Sequence, residues 1–250
     1  MDLSANKSYE SAGLFRCFAQ MLRKSTNVHN RSGQILPGHK EKKIMSHLPA
    51  SFREGFTEIY AGNPPWDIGK PQAPFVAIAD EIKSPVLDCG CGTGNTSVFF
   101  AARGLDVTGV DFVEDAIRQA KEKADKRGLT VSFLVKDAMT LGAWDERFST
   151  VIDSGLYHIY EVENRRSYVS GLAHILQSEG KLYLLSFTDD EPSAQGGVSE
   201  TDLRADFAEG WKIESLQSVR GEINPAFIAE HPDAFPAGGP KMWFAIIRKL

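Results

Sequence analysis

The sequence predicts an α/β fold, a doubly wound and mostly parallel sheet with helices on both faces. Three observations carry this. Short apolar runs alternate with amphipathic helical stretches from Pro85 onward. The first run, Val86-Leu87-Asp88-Cys89, breaks at Gly90-Cys91-Gly92-Thr93-Gly94 and passes into a helical stretch, Thr96 to Arg103. The next apolar run ends in an acid, Asp111, about twenty residues beyond Gly90.

A strand-to-helix turn of this kind directs backbone N–H groups at a ligand. Its details select which ligand. A dinucleotide fingerprint would want glycines at 90, 92 and 95, but Asn occupies 95 and the third glycine falls at 94. Asp88, two residues before the first glycine, would repel a diphosphate and could hold an ammonium group. Asp111 has the spacing of a carboxylate on ribose hydroxyls, with helix capping as its other reading. A cationic, amino-acid-bearing nucleotide fits this turn better than NAD.

Ahead of the turn the chain changes character twice. Residues 1–44 carry eight Lys or Arg against three acids, a balance of +5 that leaves −10 for the remainder. Leu14, Phe15, Phe18, Met21 and Leu22 could share one helical face there. This extension reads as a tail or cap, as an organelle-targeting peptide, or as an upstream start to a protein that opens at Met45. From Leu48 to Ala61 a helix is expected, with Phe52, Phe56, Ile59 and Tyr60 on one side. Asn63-Pro64-Pro65-Trp66-Asp67-Ile68-Gly69-Lys70-Pro71-Gln72 cannot continue it, since three prolines and a glycine fix a loop. Pro74 to Ile82 is expected to be the helix leading into the first strand.

After the turn, Leu105 to Phe112 reads as the second strand, Glu114 to Arg127 as a helix burying Ala116, Ile117, Ala120 and Ala124, and Val131 to Val135 as the third strand. Phe148 to Ile152 is the fourth strand and runs into Asp153-Ser154-Gly155-Leu156-Tyr157-His158. A helix over Arg165 to Leu176, a fifth strand over Gly180 to Phe187, a polar loop and a short helix over Thr201 to Phe207 follow. Trp211 to Val219 and Lys241 to Lys249 alternate as a closing antiparallel pair. The insertion between them, Asn224 to Gly239 with Phe227, His231 and Phe235, is long for a hairpin and suits a lid or pocket wall.

Composition excludes several classes of partner. A net charge of −5 and a pI near 5.7 argue against general affinity for nucleic acid or an anionic membrane. No apolar run approaches the ~18 residues that span a bilayer. Cys17, Cys89 and Cys91 fit a reducing, cytoplasmic setting, with an organelle as the alternative if the extension is a targeting peptide. Cys89 and Cys91 have no companion ligands at metal spacing, so no metal is expected.

The acidic-x-Gly-x-Gly-x-Gly turn resembles the first motif of the class I S-adenosylmethionine-dependent methyltransferases. The Pro65-Trp66-Asp67-x-Gly69 string is similar to an element of their thiopurine, thiol and halide methyltransferase group and its small bacterial relatives. The resemblance runs from Met45 to the end. It implies a seven-stranded sheet of order 3-2-1-4-5-7-6 with the last strand antiparallel. It also implies S-adenosylmethionine held by Trp66, Asp88, Gly90, Gly92, Gly94, Asp111, Phe112, Asp137, Ala138, Asp153 and Ser154, with S-adenosylhomocysteine as product. Trp66 would pack on the sulfonium, Asp111 would take the ribose and Asp137 the adenine amine.

Strands one and four flank the crevice where doubly wound sheets bind ligands, so Asp153 and Ser154 are expected to face the methyl group and the acceptor. If a base is used, His158 has a suitable intrinsic pKa and Asp153 a suitable neighbourhood. Tyr60, Trp66, Tyr157, Phe187 and Phe227 are candidate apolar walls. The function so implied is methyl transfer to sulfur, oxygen or nitrogen of a small thiol, phenol or hydroxyquinoline-like acceptor, or to a halide. A catalytically silent binding protein of the same fold and an NAD-dependent oxidoreductase are the alternatives. Oligomeric state is not encoded; a monomer would suffice.

Overall fold

A computed structural model describes residues 50–191 and 197–250. The expectations for the basic extension, residues 1–44, lie outside the described residues. The first helix, α1 (Ala50–Tyr60), leads into the Trp66 loop, and α2 (Ala73–Ala77) follows it. Pro74 starts α2, where its missing N–H costs nothing. The single helix expected over 74–82 is instead α2 followed by a 3₁₀ turn, Ala79–Glu81, which together bury Phe75, Ala79 and Ile82.

The sheet has seven strands in the order β3-β2-β1-β4-β5-β7-β6, as the resemblance implied. They are β1 (Val86–Cys89), β2 (Val107–Asp111), β3 (Ser132–Val135), β4 (Phe148–Ser154), β5 (Leu176–Phe187), β6 (Trp211–Arg220) and β7 (Lys241–Lys249). β1 pairs in parallel with β2 and β4, and β7 lies antiparallel between β5 and β6. All four residues of β1 are buried, which explains why it reads as a continuous apolar run broken only by Asp88.

Connecting helices cover both faces. On one side α3 (Asn95–Ala101) and α4 (Glu114–Asp125) join α2. There Val86, Phe100, Val107, Ile152 and Tyr183 pack with Phe75, while Val98, Ile117, Ala120 and Phe133 form an adjoining cluster. On the other side α5 (Val162–Ile175) and α6 (Glu200–Asp206) cover Leu87, Cys89, Val151, Leu182 and Leu184. Two elements start earlier than their sequence pattern suggests. α5 opens at Val162, where the Glu161 carbonyl accepts the Arg165 N–H at 2.8 Å, and the buried Arg165 side chain, paired at 3.1 Å with Asp206, puts a charge on the inner face. β5 opens at Leu176, directly after α5, and reaches its regular register past Glu179, which has φ 63°.

The insertion between β6 and β7 carries α7 (Pro225–Glu230) and is stitched to the Trp66 loop. Asn224 donates from its backbone to the Pro65 carbonyl at 2.8 Å and from Nδ2 to that of Pro64 at 3.2 Å. Gln72 exchanges two hydrogen bonds with the Glu222 backbone, at 2.8 and 2.9 Å. Two segments far apart in sequence thus form one rim at the carboxyl end of the sheet, where the switch point between β1 and β4 opens. Among the described residues no helix is long and apolar enough to cross a membrane.

Candidate active site

A cleft of about 510 Å³ lies at that switch point, within the ~300–1,000 Å³ typical of small-ligand sites. Its floor is the glycine turn. Gly90, Gly92 and Gly94 all have positive φ, at 66°, 53° and 77°, a path that side chains resist. The turn spends several of its N–H groups on itself and on the end of β2, which the sequence did not suggest. Cys91 donates to the Val110 carbonyl, Gly94 to the Cys91 carbonyl, and Gly92 to Asp111 Oδ2 at 3.0 Å.

Asp111 therefore does more than close β2. Its Oδ1 also accepts from Val113 N at 2.9 Å, so one carboxylate ties the turn to the second strand while bordering the cleft. Burial raises its pKa to about 6 against those bonds. Asp88 also borders the cleft, with Oδ2 accepting from the Ser97 hydroxyl. Burial lifts it to about 7, partly offset by Ser97 and reinforced by Asp153 and Asp111. A buried carboxyl this reluctant to ionise is primed for a ligand that brings a positive charge.

Aromatic rings line one wall. Trp66 packs at 5.7 Å against both Phe56 and Tyr60, and its Nε1 donates to the Tyr60 hydroxyl at 3.1 Å. Phe112 joins the set, edge-on to Phe56 at 5.6 Å. The loop carrying Trp66 is held down by Asp67, whose carboxylate takes Thr93 Oγ1 at 2.7 Å and Asn95 Nδ2 at 2.6 Å. Lys123 completes the cluster through Thr93 Oγ1 and Asn95 Oδ1. Burial opposes ionisation of Asp67, but the Thr93 and Asn95 bonds and the Lys123 charge outweigh it and lower its pKa.

Trp66, Asp88, Gly90, Gly92, Asp111, Phe112, Ala138, Ser154 and His158 all line this one cleft. Four other expected residues stand behind it. Asp153 is fully buried and does not face an acceptor, because its oxygens take the N–H groups of Leu156 and Tyr157 and the Tyr168 hydroxyl at 2.9 Å. It caps the turn that carries His158. Asp137 caps the 3₁₀ turn Ala138–Ala143 by accepting from Met139 N, leaving Lys136 and Ala138 on the lining. Gly94 is a packing position, where a Cβ would come within 2.8 Å of Ala120 and Phe133. Tyr157 is not a wall either; its ring is buried and its hydroxyl donates to Asp206 at 2.6 Å.

The half of the cleft away from the glycine turn is walled by Phe187, Phe227, Phe235 and Met242, with His158 and His231 among them. His158 leans on Phe187 at 4.6 Å and His231 on Phe227 at 4.6 Å. Sequence reading missed Asp67, Asn95 and Lys123 as a unit. The signal was present, since Asp67 follows Trp66 in a rigid loop and Asn95 stands where a glycine was wanted.

Comparison with known proteins agrees with this geometry. A methyltransferase domain family matches residues 86–180. A 2-heptyl-1-hydroxyquinolin-4(1H)-one methyltransferase of Mycobacteroides abscessus is 34% identical over 205 residues, covering 79% of this chain and 87% of its own. A probable thiol methyltransferase of Arabidopsis thaliana is 29% identical over 53% of this chain and 61% of its own. A solved structure described under the conversion of a disulfide bond into a thioacetal group during echinomycin biosynthesis superposes with a TM-score of 0.67 at 35% identity. That match covers 79% of this chain and 92% of the other. The residues around the glycine turn fit a sulfonium nucleoside, with a buried carboxyl for its ammonium, an acid at the second strand and an aromatic wall. The chain belongs to the class I S-adenosylmethionine-dependent methyltransferases.

Proposed function

We propose that the enzyme methylates oxygen or sulfur, with nitrogen as a further option, on a small, flat and largely apolar acceptor held between Phe187, Phe227 and Phe235. One observation carries this reading. The acceptor half is aromatic, and both lysines on the cleft lining are engaged: Lys70 pairs with Glu222 at 2.7 Å, and Lys136 lies 3.9 Å over the Trp144 ring. A carboxylate or phosphate carried away from the atom that meets the sulfonium would find no unengaged lysine or arginine among the described lining residues to replace its lost hydration. The relatives named for a hydroxyquinolinone and for a thiol support the same acceptor chemistry.

When bound, S-adenosylmethionine supplies a methyl group already activated by positive sulfur. The protein's part is alignment and exclusion of water, which can contribute ~7–11 kcal/mol. Asp88 and Asp111 would hold the amino-acid and ribose parts, Trp66 and Phe112 would wall them, and the stitched rim of the Trp66 loop and the α7 insertion would close over the acceptor. Incubation with methyl-labelled S-adenosylmethionine and a panel of thiols, phenols, hydroxyquinolines, carboxylates and iodide tests this. Label should enter the hydroxy- and thio-aromatics. Label only in carboxylates or iodide, or in nothing at all, would overturn the reading, and the last result would favour a silent binding protein.

A further inference from the structure

We infer that His158 serves the acceptor as a hydrogen-bond donor through Nε2, not as its base, and that the acceptor enters the cleft already ionised at the atom to be methylated. The inference rests on the methyltransferase reading above and specifies the chemical state of its substrate.

Of the two ring nitrogens, Nδ1 is sealed from solvent and has no hydrogen-bond partner among the described residues. Nε2 is then the nitrogen left to the cleft that the residue lines. A histidine that takes a proton at Nε2 must carry N–H at both positions, and in built acid–base pairs a carboxylate or carbonyl supports the far one. Among the described residues no such support is present. Asp153 on β4 is consumed by Leu156, Tyr157 and Tyr168, and Asp206 on α6 by Tyr157 and Arg165. Across the cleft, Glu222 is paired with Lys70 and Glu230 takes the Asn63 amide. An imidazolium at this position would bury an orphaned donor and a charge without a counterion.

Burial accordingly drives the ring pKa down to about 4. The neutral ring then has two tautomers. Placing the proton on Nδ1 buries an unpaired N–H, whereas placing it on Nε2 presents a donor to the cleft; unpaired buried N–H groups are the rarer arrangement. The Nε2–H tautomer suits a negatively charged oxygen or sulfur, to which a hydrogen bond is roughly twice as strong as to a neutral one. The acceptor's lone pair forms the bond to the methyl carbon as the S–CH3 bond breaks and its electron pair returns to sulfur. No proton moves in that step, and the negative and positive charges cancel. The substrate class is thus a hydroxyl or thiol made acidic by an electron-poor ring or by an attached nitrogen.

Two measurements on the full chain test this. In the first, ¹⁵N-histidine-labelled protein bound to S-adenosylhomocysteine is examined by long-range ¹H–¹⁵N correlation, with the His158 signals assigned by their loss in His158→Gln. The ring should hold the neutral Nε2–H form across about pH 5 to 8. An Nδ1–H form, or protonation near the ordinary ~6.5, would overturn the inference. This readout does not require turnover, so it stands apart from any failure to find an acceptor. In the second, kcat/KM is followed against pH for substituted thiophenols and phenols of graded acidity. The rising limb should move with each acceptor's own pKa. His158→Gln, which keeps a donor near Nε2, should stay within about threefold of wild type, while His158→Leu loses about 10- to 100-fold. A limb fixed regardless of acceptor, or Gln falling as far as Leu while S-adenosylhomocysteine binding is retained, would establish a base instead.

Discussion

Asp67 Oδ1 receives the Asn95 amide at 2.6 Å, so the residue standing where a dinucleotide turn would place glycine is the one that anchors the Trp66 loop. The displaced third glycine is therefore more than a departure from another fingerprint. It frees position 95 for a side chain that fastens the aromatic wall to the floor of the cleft. Replacing Asp67 by Ala should weaken S-adenosylmethionine binding about tenfold, from the loss of charge-assisted bonds to Thr93 and Asn95. Calorimetric titration checks this, and unchanged affinity would show that the loop closes without the clamp.

Asp88 gives the site a pH dependence of definite sign. Its folded pKa of about 7 exceeds the ordinary ~3.9, so the folded chain holds a proton the unfolded chain lacks between those values. Its contribution to stability is complete below ~3.9 and is lost as pH rises through about 7; Asp111 and Asp153, each near 6, act the same way. The ligand-free protein should melt at lower temperature at pH 8 than at pH 5. An ammonium beside Asp88 favours the ionised form, so saturating S-adenosylmethionine should flatten that slope, and binding at pH 6 should release protons. Calorimetry in buffers of differing ionisation enthalpy reads the proton count.

Gly94 separates packing from binding. Its φ of 77° and the 2.8 Å approach of an added Cβ to Ala120 and Phe133 leave no room for a methyl group. Gly94→Ala should cost about 1–3 kcal/mol in denaturant unfolding, and more than an alanine at Gly142, where a Cβ meets nothing within 4 Å.

Tyr157 tests the reassignment of an expected wall residue. Tyr157→Phe removes the 2.6 Å bond to Asp206 beneath the buried Arg165 pair. It should destabilise the fold by about 1–2 kcal/mol while leaving the KM for the acceptor unchanged. A raised KM with unchanged stability would return the ring to the acceptor wall.

Much of this was legible in the sequence, for physical reasons. The α/β class and the sequence of elements followed from the glycine turn, the acid at 111 and the alternation of apolar runs, each a local signal, whereas the strand order followed only from the resemblance to the methyltransferases. Placement of side chains around the crevice was less legible, because an Asp at a strand end can face a ligand or its own turn. Asp111 borders the cleft and also holds its own turn, whereas Asp137 accepts from the backbone that follows it and Asp153 from that backbone and the Tyr168 hydroxyl. Which it is depends on whether neighbouring N–H groups fold back, a property of loop geometry. The Asp67–Asn95–Lys123 clamp joins residues 28 positions apart on either side of Asn95, and no periodicity links them.

S-adenosylmethionine is expected to be held in this cleft by the acids at the ends of β1 and β2. Calorimetric titration of wild type and Asp111→Ala with S-adenosylmethionine, beside NADH, tests it most directly. Wild type should bind S-adenosylmethionine but not NADH, with affinity at least tenfold weaker in the variant. Wild type that ignores S-adenosylmethionine, or that binds NADH in its place, would contradict it.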